Sequence, residues 1–160
     1  MPLVAIAWLF TLGVLAHNFE EALYLPEWSA SAGRWHGPVG ASEFRFAIVV
    51  FSMSLVCIVM AASVARPGSV AAYLLSGCVL AMVLNALAPH LVATIATGRY
   101  MPGTATAILF NLPLGCLFLR RALSEDYVEF RFFAWSGPAV ALAIAASIPL
   151  LFAIGRKIRQ

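Results

Sequence analysis

Apolar residues run along this chain in long unbroken stretches, without the alternation of a half-buried strand or the single apolar stripe of a soluble helix. Five stretches approach or exceed the roughly 20 residues that a helix needs to cross a bilayer. They lie at about 2–24, 46–65, 70–97, 103–120 and 134–155. Turn-forming residues separate them: Pro26 through Pro38, then Arg66, Pro67, Gly68 and Ser69, then Gly98 through Gly103. The one strongly charged loop follows the fourth stretch and holds Arg120, Arg121, Glu125, Asp126, Glu129 and Arg131. Tyr24, Trp28, Trp35, Tyr73, Tyr100, Tyr127 and Trp135 fall near stretch ends, as an interfacial aromatic belt does. The pattern predicts an all-α integral membrane bundle of about five transmembrane helices, a single domain over 1–160.

Composition strengthens this reading. Of 160 residues, 62% are hydrophobic and 11% charged, and the mean hydropathy is +0.93. Such a chain cannot cover an apolar core with a wet surface, and lipid removes that need. The net charge of +3 is scattered and forms no basic face, which excludes a nucleic-acid partner. Cys57, Cys78 and Cys116 each stand alone in apolar runs and read as small buried hydrophobes. The first stretch lacks a basic start and continues past His17, so it reads as a retained span and not as a cleaved signal. An odd number of spans puts the termini on opposite sides. Arg34, Arg45, Arg99, Arg156, Lys157 and Arg159 gather on one side, against Arg66, Arg120, Arg121 and Arg131 on the other. The positive-inside rule then places the C-terminus in the cytoplasm.

Against this background the polar residues inside spans stand out, because each costs several kcal/mol and marks function by default. The first span carries His17, Asn18, Glu20 and Glu21. At about 100° per residue, Glu20 lies about 60° to one side of His17 and Glu21 about 40° to the other. The third span carries Asn85 and His90, with Thr94 and Thr97 following His90 on one stripe. His17 sits roughly 22 Å from the start of its span and His90 roughly 30 Å from the start of its own, so both fall in one leaflet. Glu43 and Arg45 open the second span on that side, and Arg99, Tyr100 and Thr104 open the fourth. Pro89 and Pro113 interrupt helical bonding to Asn85 and Leu109 and can open a cavity between helices. Asn85 and His90 lie about 140° apart on a straight helix, so they share a site only if that kink reorients one of them.

Two imidazoles and two carboxylates form a ligand set suited to a divalent metal, Zn, Fe or Mn. His17, Glu20, Glu21 and His90 are the candidate ligands. Glu20 and Glu21 are the candidate catalytic bases, with Asn85, Arg99 and Tyr100 in support. Arg99 is expected to pair with Glu20, Glu21 or Glu43, or to hold an anionic group near the headgroups. Blander assignments remain open: Glu20 and Glu21 solvated at the interface or paired with Arg99 or Arg45, His90 a satisfied interior histidine, His36 an exposed loop residue.

His17, Asn18, Phe19, Glu20 and Glu21, then Pro26 with Trp28, Asn85 with His90, and Arg99, Tyr100, Met101, Pro102 and Gly103 with Thr106, resemble the HXXEE proteins. These are small bacterial multi-pass membrane proteins, and the likeness runs from about Thr11 to Pro113. The resemblance implies a bacterial plasma-membrane location and marks which residues matter. It brings no assigned activity. The residues themselves favour a metal-dependent enzyme, hydrolase-like, acting on a lipid or small amphipathic substrate, with membrane lipid as its surroundings. The alternatives are a proton- or cation-coupled transporter and a non-catalytic membrane subunit.

Overall fold

The computed structural model describes residues 1–33 and 37–158. Arg34, Trp35 and His36, and Arg159 of the C-terminal tail, lie outside the described residues. Five helices are long and apolar enough to cross a membrane: α1 Leu3–Ser29, α2 Ala41–Val64, α3 Val70–Thr97, α4 Thr104–Ser124 and α5 Phe130–Ile158. Among the described residues there is no strand, and the protein is an all-α helical bundle. The apolar stretches read from sequence are all present: the third has the expected bounds, and the other four are extended at one or both ends.

Proline and glycine account for the breaks. Pro26 lies inside α1 and cannot donate to Ala22 four residues back. The freed Ala22 carbonyl accepts a bond from Arg45 Nε at 3.0 Å, which ties the end of α1 to the start of α2. Ser69 caps α3 by accepting from the Ala72 N–H at 3.2 Å. Gly98 closes α3 in the left-handed region. Inside α3, Ala88 precedes Pro89 and is forced to extended backbone, φ −137° and ψ 119°. The helix bends there and winds wider over Ala86–Leu91. In α4 a second wide turn, Ala107–Asn111, lies just before Pro113. Turns of this kind are frequent at functional sites.

Two apolar clusters bracket the polar layer. The larger, with Ile6, Phe10, Val14, Leu55, Leu75, Val79 and Phe118, fills the half of the bundle where α1 begins. The smaller, Leu25, Phe44, Ala93 and Met101, sits beyond Glu21 toward the opposite end. Large apolar side chains such as Leu12, Phe19, Met53, Ile95, Leu109 and Leu142 point outward, while His17, Asn18, Glu21, His90 and Asn111 are buried. That inversion of the soluble pattern suits a lipid solvent. Cys78 is buried as the sequence suggests, but Cys57 and Cys116 lie on outward faces. An apolar thiol is at no disadvantage there, because both sides of the helix are equally dry.

Candidate metal centre

The polar residues of α1 and α3 meet in one layer, against the turn that leads into α4. His17 and Glu21 are one helical turn apart on α1, and the carboxylate comes within 3.6 Å of His17 Nε2. The bend at Ala88 and Pro89 brings His90 opposite them. Its ring stands edge-on to that of His17, centroids 4.8 Å apart and planes at 81°. His90 Nε2 is 3.2 Å from the other oxygen of Glu21. The contact lacks hydrogen-bond alignment, and both ring nitrogens of this fully buried imidazole are without a hydrogen-bond partner. The same bend carries Asn85 into the layer, its amide nitrogen 3.4 Å from His17 Nε2.

His17 is held from behind. Its Nδ1 lies 3.0 Å from the Gly103 carbonyl, which can only accept, so Nδ1 carries the ring proton. That leaves the lone pair on Nε2, directed at Glu21. A histidine whose distal N–H is anchored on a carbonyl is the usual arrangement of a metal-ligating imidazole. Gly103 is required for two reasons. Its φ of +91° is a left-handed conformation, and a Cβ there would stand 2.8 Å from both His17 Cε1 and His90 Cε1 and 3.0 Å from Glu21 Cγ. The three residues that converge are therefore packed around a backbone position with no side chain.

One nitrogen from each imidazole and one Glu21 oxygen lie within 4.8 Å of one another, all three residues buried. Ligand atoms about 2.0–2.1 Å from a tetrahedral ion are about 3.4 Å apart. His90 Nε2 and His17 Nε2 stand 3.2 and 3.6 Å from different oxygens of Glu21, so the pairs are near that value while the set as a whole, spread to 4.8 Å, would draw in slightly around an ion. The donor set fits a divalent transition ion, and an ion would also give one of the two unpartnered His90 nitrogens a partner, removing a deficit of about 1–3 kcal/mol.

Glu20, read from sequence alongside Glu21 as ligand and base, occupies the neighbouring face. One oxygen accepts a short bond from the Tyr100 hydroxyl and the other accepts from Thr106 Oγ1 at 2.7 Å. Burial and the bond to Glu20 push the Tyr100 phenol above its usual range, with the Ala105 N–H pulling the other way. Arg99 does not pair with Glu20, Glu21 or Glu43. Its guanidinium donates to Ser31 Oγ at 3.3 Å, and the carboxylate partner from that turn is Tyr100. Glu43 lies instead against Gly40 and Gly155. Two participants stood in the sequence as parts of the family resemblance, with no role of their own: Gly103 acts through its carbonyl and its missing side chain, and Thr106 through a hydroxyl typical of any membrane helix. Asn111, beside Gly13, is fully buried with both ends of its amide unpartnered.

A family model described as "Protein of unknown function with HXXEE motif" matches residues 8–118, a segment holding every residue of this layer. The chain is 32% identical over 149 residues to "Uncharacterized protein YrkK" of Bacillus subtilis (strain 168), covering 93% of this chain and 94% of that protein. No solved structure matches. The chain belongs to the HXXEE family.

Proposed function

We propose that the protein is a metal-dependent membrane enzyme in which His17, Glu21 and His90 hold one Zn, Fe or Mn ion, and that it hydrolyses a lipid or small amphipathic substrate. The observation that carries this reading is the fully buried His90 imidazole, with neither ring nitrogen hydrogen-bonded and one of them 3.2 Å from a carboxylate. Two imidazoles and one carboxylate match the three-protein-ligand sets of catalytic sites, which leave a coordination position for water or substrate. When bound, such an ion supplies Lewis acidity and lowers the pKa of its water to about 7. The protein's own contribution is to fix the ligands. Gly103 holds the His17 tautomer, Glu21 bridges the two imidazoles, and the apolar clusters on either side keep the layer dry. Exposed Tyr100 and Phe19 sit where α1 and the start of α4 meet lipid, a route by which an amphiphile reaches the layer from the headgroups. Arg99, also exposed at that end, is suited to an anionic headgroup.

A transporter needs a polar path through the second half of the bundle. That half is filled by Ile6, Phe10, Leu55, Leu75 and Phe118, which favours the enzyme. The membrane is the bacterial plasma membrane, with the basic C-terminal end in the cytoplasm. The test is elemental analysis of the purified protein in detergent, together with release of product from ester- and phosphate-containing amphiphiles. Stoichiometric metal lost in Glu21→Gln, with hydrolysis lost alongside it, is the expected result. A metal-free native protein whose unfolding is indifferent to chelator would overturn the reading.

A further inference from the structure

The two adjacent carboxylates of the motif are held in different ways. We propose that they divide the work: Glu21 is the ligand, while Glu20 is a positioning residue that reinforces, through Thr106, the His17 tautomer favoured by the Gly103 carbonyl, and never touches the ion. The inference rests on the metal reading for its consequence, but its geometry stands independently.

The chain of bonds has a direction. The Tyr100 hydroxyl donates to one Glu20 oxygen while accepting from the Ala105 N–H at 3.0 Å. The Thr106 hydroxyl has a single proton and two acceptors in reach, Glu20 Oε2 at 2.7 Å and the Gly103 carbonyl at 3.0 Å. The carboxylate is nearer and the stronger acceptor, so the proton goes there. The Thr106 oxygen, 3.3 Å from His17 Nδ1, is then left with lone pairs facing the ring. His17 N–H finds two acceptors, the Gly103 carbonyl and the Thr106 oxygen, and no competing donor. Tyr100 and Thr106 both donate to Glu20, one to each oxygen, and the His17 N–H follows toward the Thr106 oxygen and the Gly103 carbonyl, so the bonds converge on the carboxylate. The result is an Nδ1–H imidazole whose Nε2 lone pair faces Glu21.

Replacing Glu20 with Gln reverses that order at little cost in volume. The amide nitrogen can donate to Thr106, and the Thr106 proton is then free to turn toward Gly103 or toward His17 Nδ1. Donation to Nδ1 selects the opposite tautomer and puts a hydrogen on the nitrogen that should face the ion. Outer partners of a ligating histidine typically contribute 10–100-fold to metal affinity, whereas loss of a ligand removes the site.

The experiment uses the full chain in detergent, with Zn as the probe in competition against a chromophoric chelator. Zn coordination number is read from X-ray absorption, and the His17 tautomer from ¹⁵N NMR of histidine-labelled protein. Glu20→Gln should weaken Zn about 10–100-fold while keeping the native coordination number, and should lower the Nδ1–H population of His17. Thr106→Val, which leaves the Gly103 carbonyl as acceptor of the His17 N–H, should weaken Zn in the same direction without shifting the tautomer. Thr106→Ser, which retains the hydroxyl, should keep both readouts native and so controls for disturbed folding. A coordination number that falls in Glu20→Gln as it does in Glu21→Gln would make Glu20 a ligand and overturn the proposal. So would native affinity in both Glu20→Gln and Thr106→Val. A native protein that takes no Zn sinks the metal reading alone: the tautomer is read equally well without metal. A shifted tautomer in Glu20→Gln would still support the positioning role, and an unchanged one would end it.

Discussion

Gly103→Ala adds one methyl group at the point on which His17, His90 and Glu21 converge. Two costs can be separated. The first is conformational: φ at Gly103 is +91°, and an L-residue held left-handed costs about 1–2 kcal/mol. The second is steric. The new Cβ would lie 2.8 Å from carbon atoms of both imidazoles and 3.0 Å from Glu21 Cγ, and overpacking of this kind costs about 1–3 kcal/mol. The rings cannot swing away freely, because His17 is bonded through Nδ1 to the carbonyl of the same residue. The predicted loss is therefore about 2–5 kcal/mol of stability if the ligands stay in place. If they move instead, the steric part is transferred to metal binding as about a 5–150-fold weaker affinity. Gly98→Ala is the matched control. Its φ is +63° and a Cβ there meets nothing within 4 Å, so it carries the conformational cost alone. Thermal unfolding in detergent and Zn competition, run on both variants, resolve the two terms. If Gly103→Ala lost no more stability than Gly98→Ala and bound Zn with native affinity, the convergence of three ligands on this backbone position would be refuted.

Reporter fusions at the two ends should be active on opposite sides of the membrane, and activity on one side for both would exclude five crossings. Tyr100 titrates above its usual range in the folded protein, so the stability from its intact O–H is complete below the unfolded value of about 10 and is lost as pH rises through the higher folded value. Tyr127, also raised by burial, behaves likewise. Tyr100→Phe should thus flatten part of the alkaline fall in melting temperature, and a fall as steep as native would show that the Glu20 bond contributes nothing. Asn111→Leu should raise stability by about 1–3 kcal/mol, because a buried amide without partners is replaced by an apolar group of similar size. A marked loss in that variant would mean that the amide has a partner not provided by the chain.

The span count and the shared depth of His17 and His90 were legible because both follow from length. Five apolar stretches and a constant rise per residue place His17 and His90 at one depth whatever the packing. The separation of Glu20 from Glu21 was also present in the helical wheel, on opposite sides of His17, but residue type alone gave both the same role. What decides between them lies 80 or more residues away, in the Tyr100 and Thr106 hydroxyls. Arg99 misled for a related reason. Charge complementarity predicted an ion pair, whereas the turn aims the guanidinium at Ser31 and the phenol at the carboxylate. Asn85 depended on a bend that Pro89 announces without giving its direction. Gly103 was marked by the family resemblance, but its role was not, since a carbonyl and an absent methyl give no chemistry to read from a sequence.

With wide turns over Ala86–Leu91 and Ala107–Asn111, the site depends on counting as well as on chemistry. A wide turn accommodates one residue more than regular winding would. Remove a single residue from 107–111 and α4 can close to ordinary pitch, with the residues on either side keeping their faces. Thr104 and Thr106 would still look toward α1, and Gly115 and Phe118 would keep their seats. The same deletion in the regular winding of α1, between Val14 and His17, has no wide turn to absorb it and rotates everything before it by about 100° relative to everything after it. Ile6 and Phe10 would hold their places in the apolar cluster while His17, Glu20 and Glu21 turned away from His90 and Gly103. Neither deletion touches a residue of the centre, yet a residue missing from α4 leaves its geometry standing and one missing from α1 takes it apart.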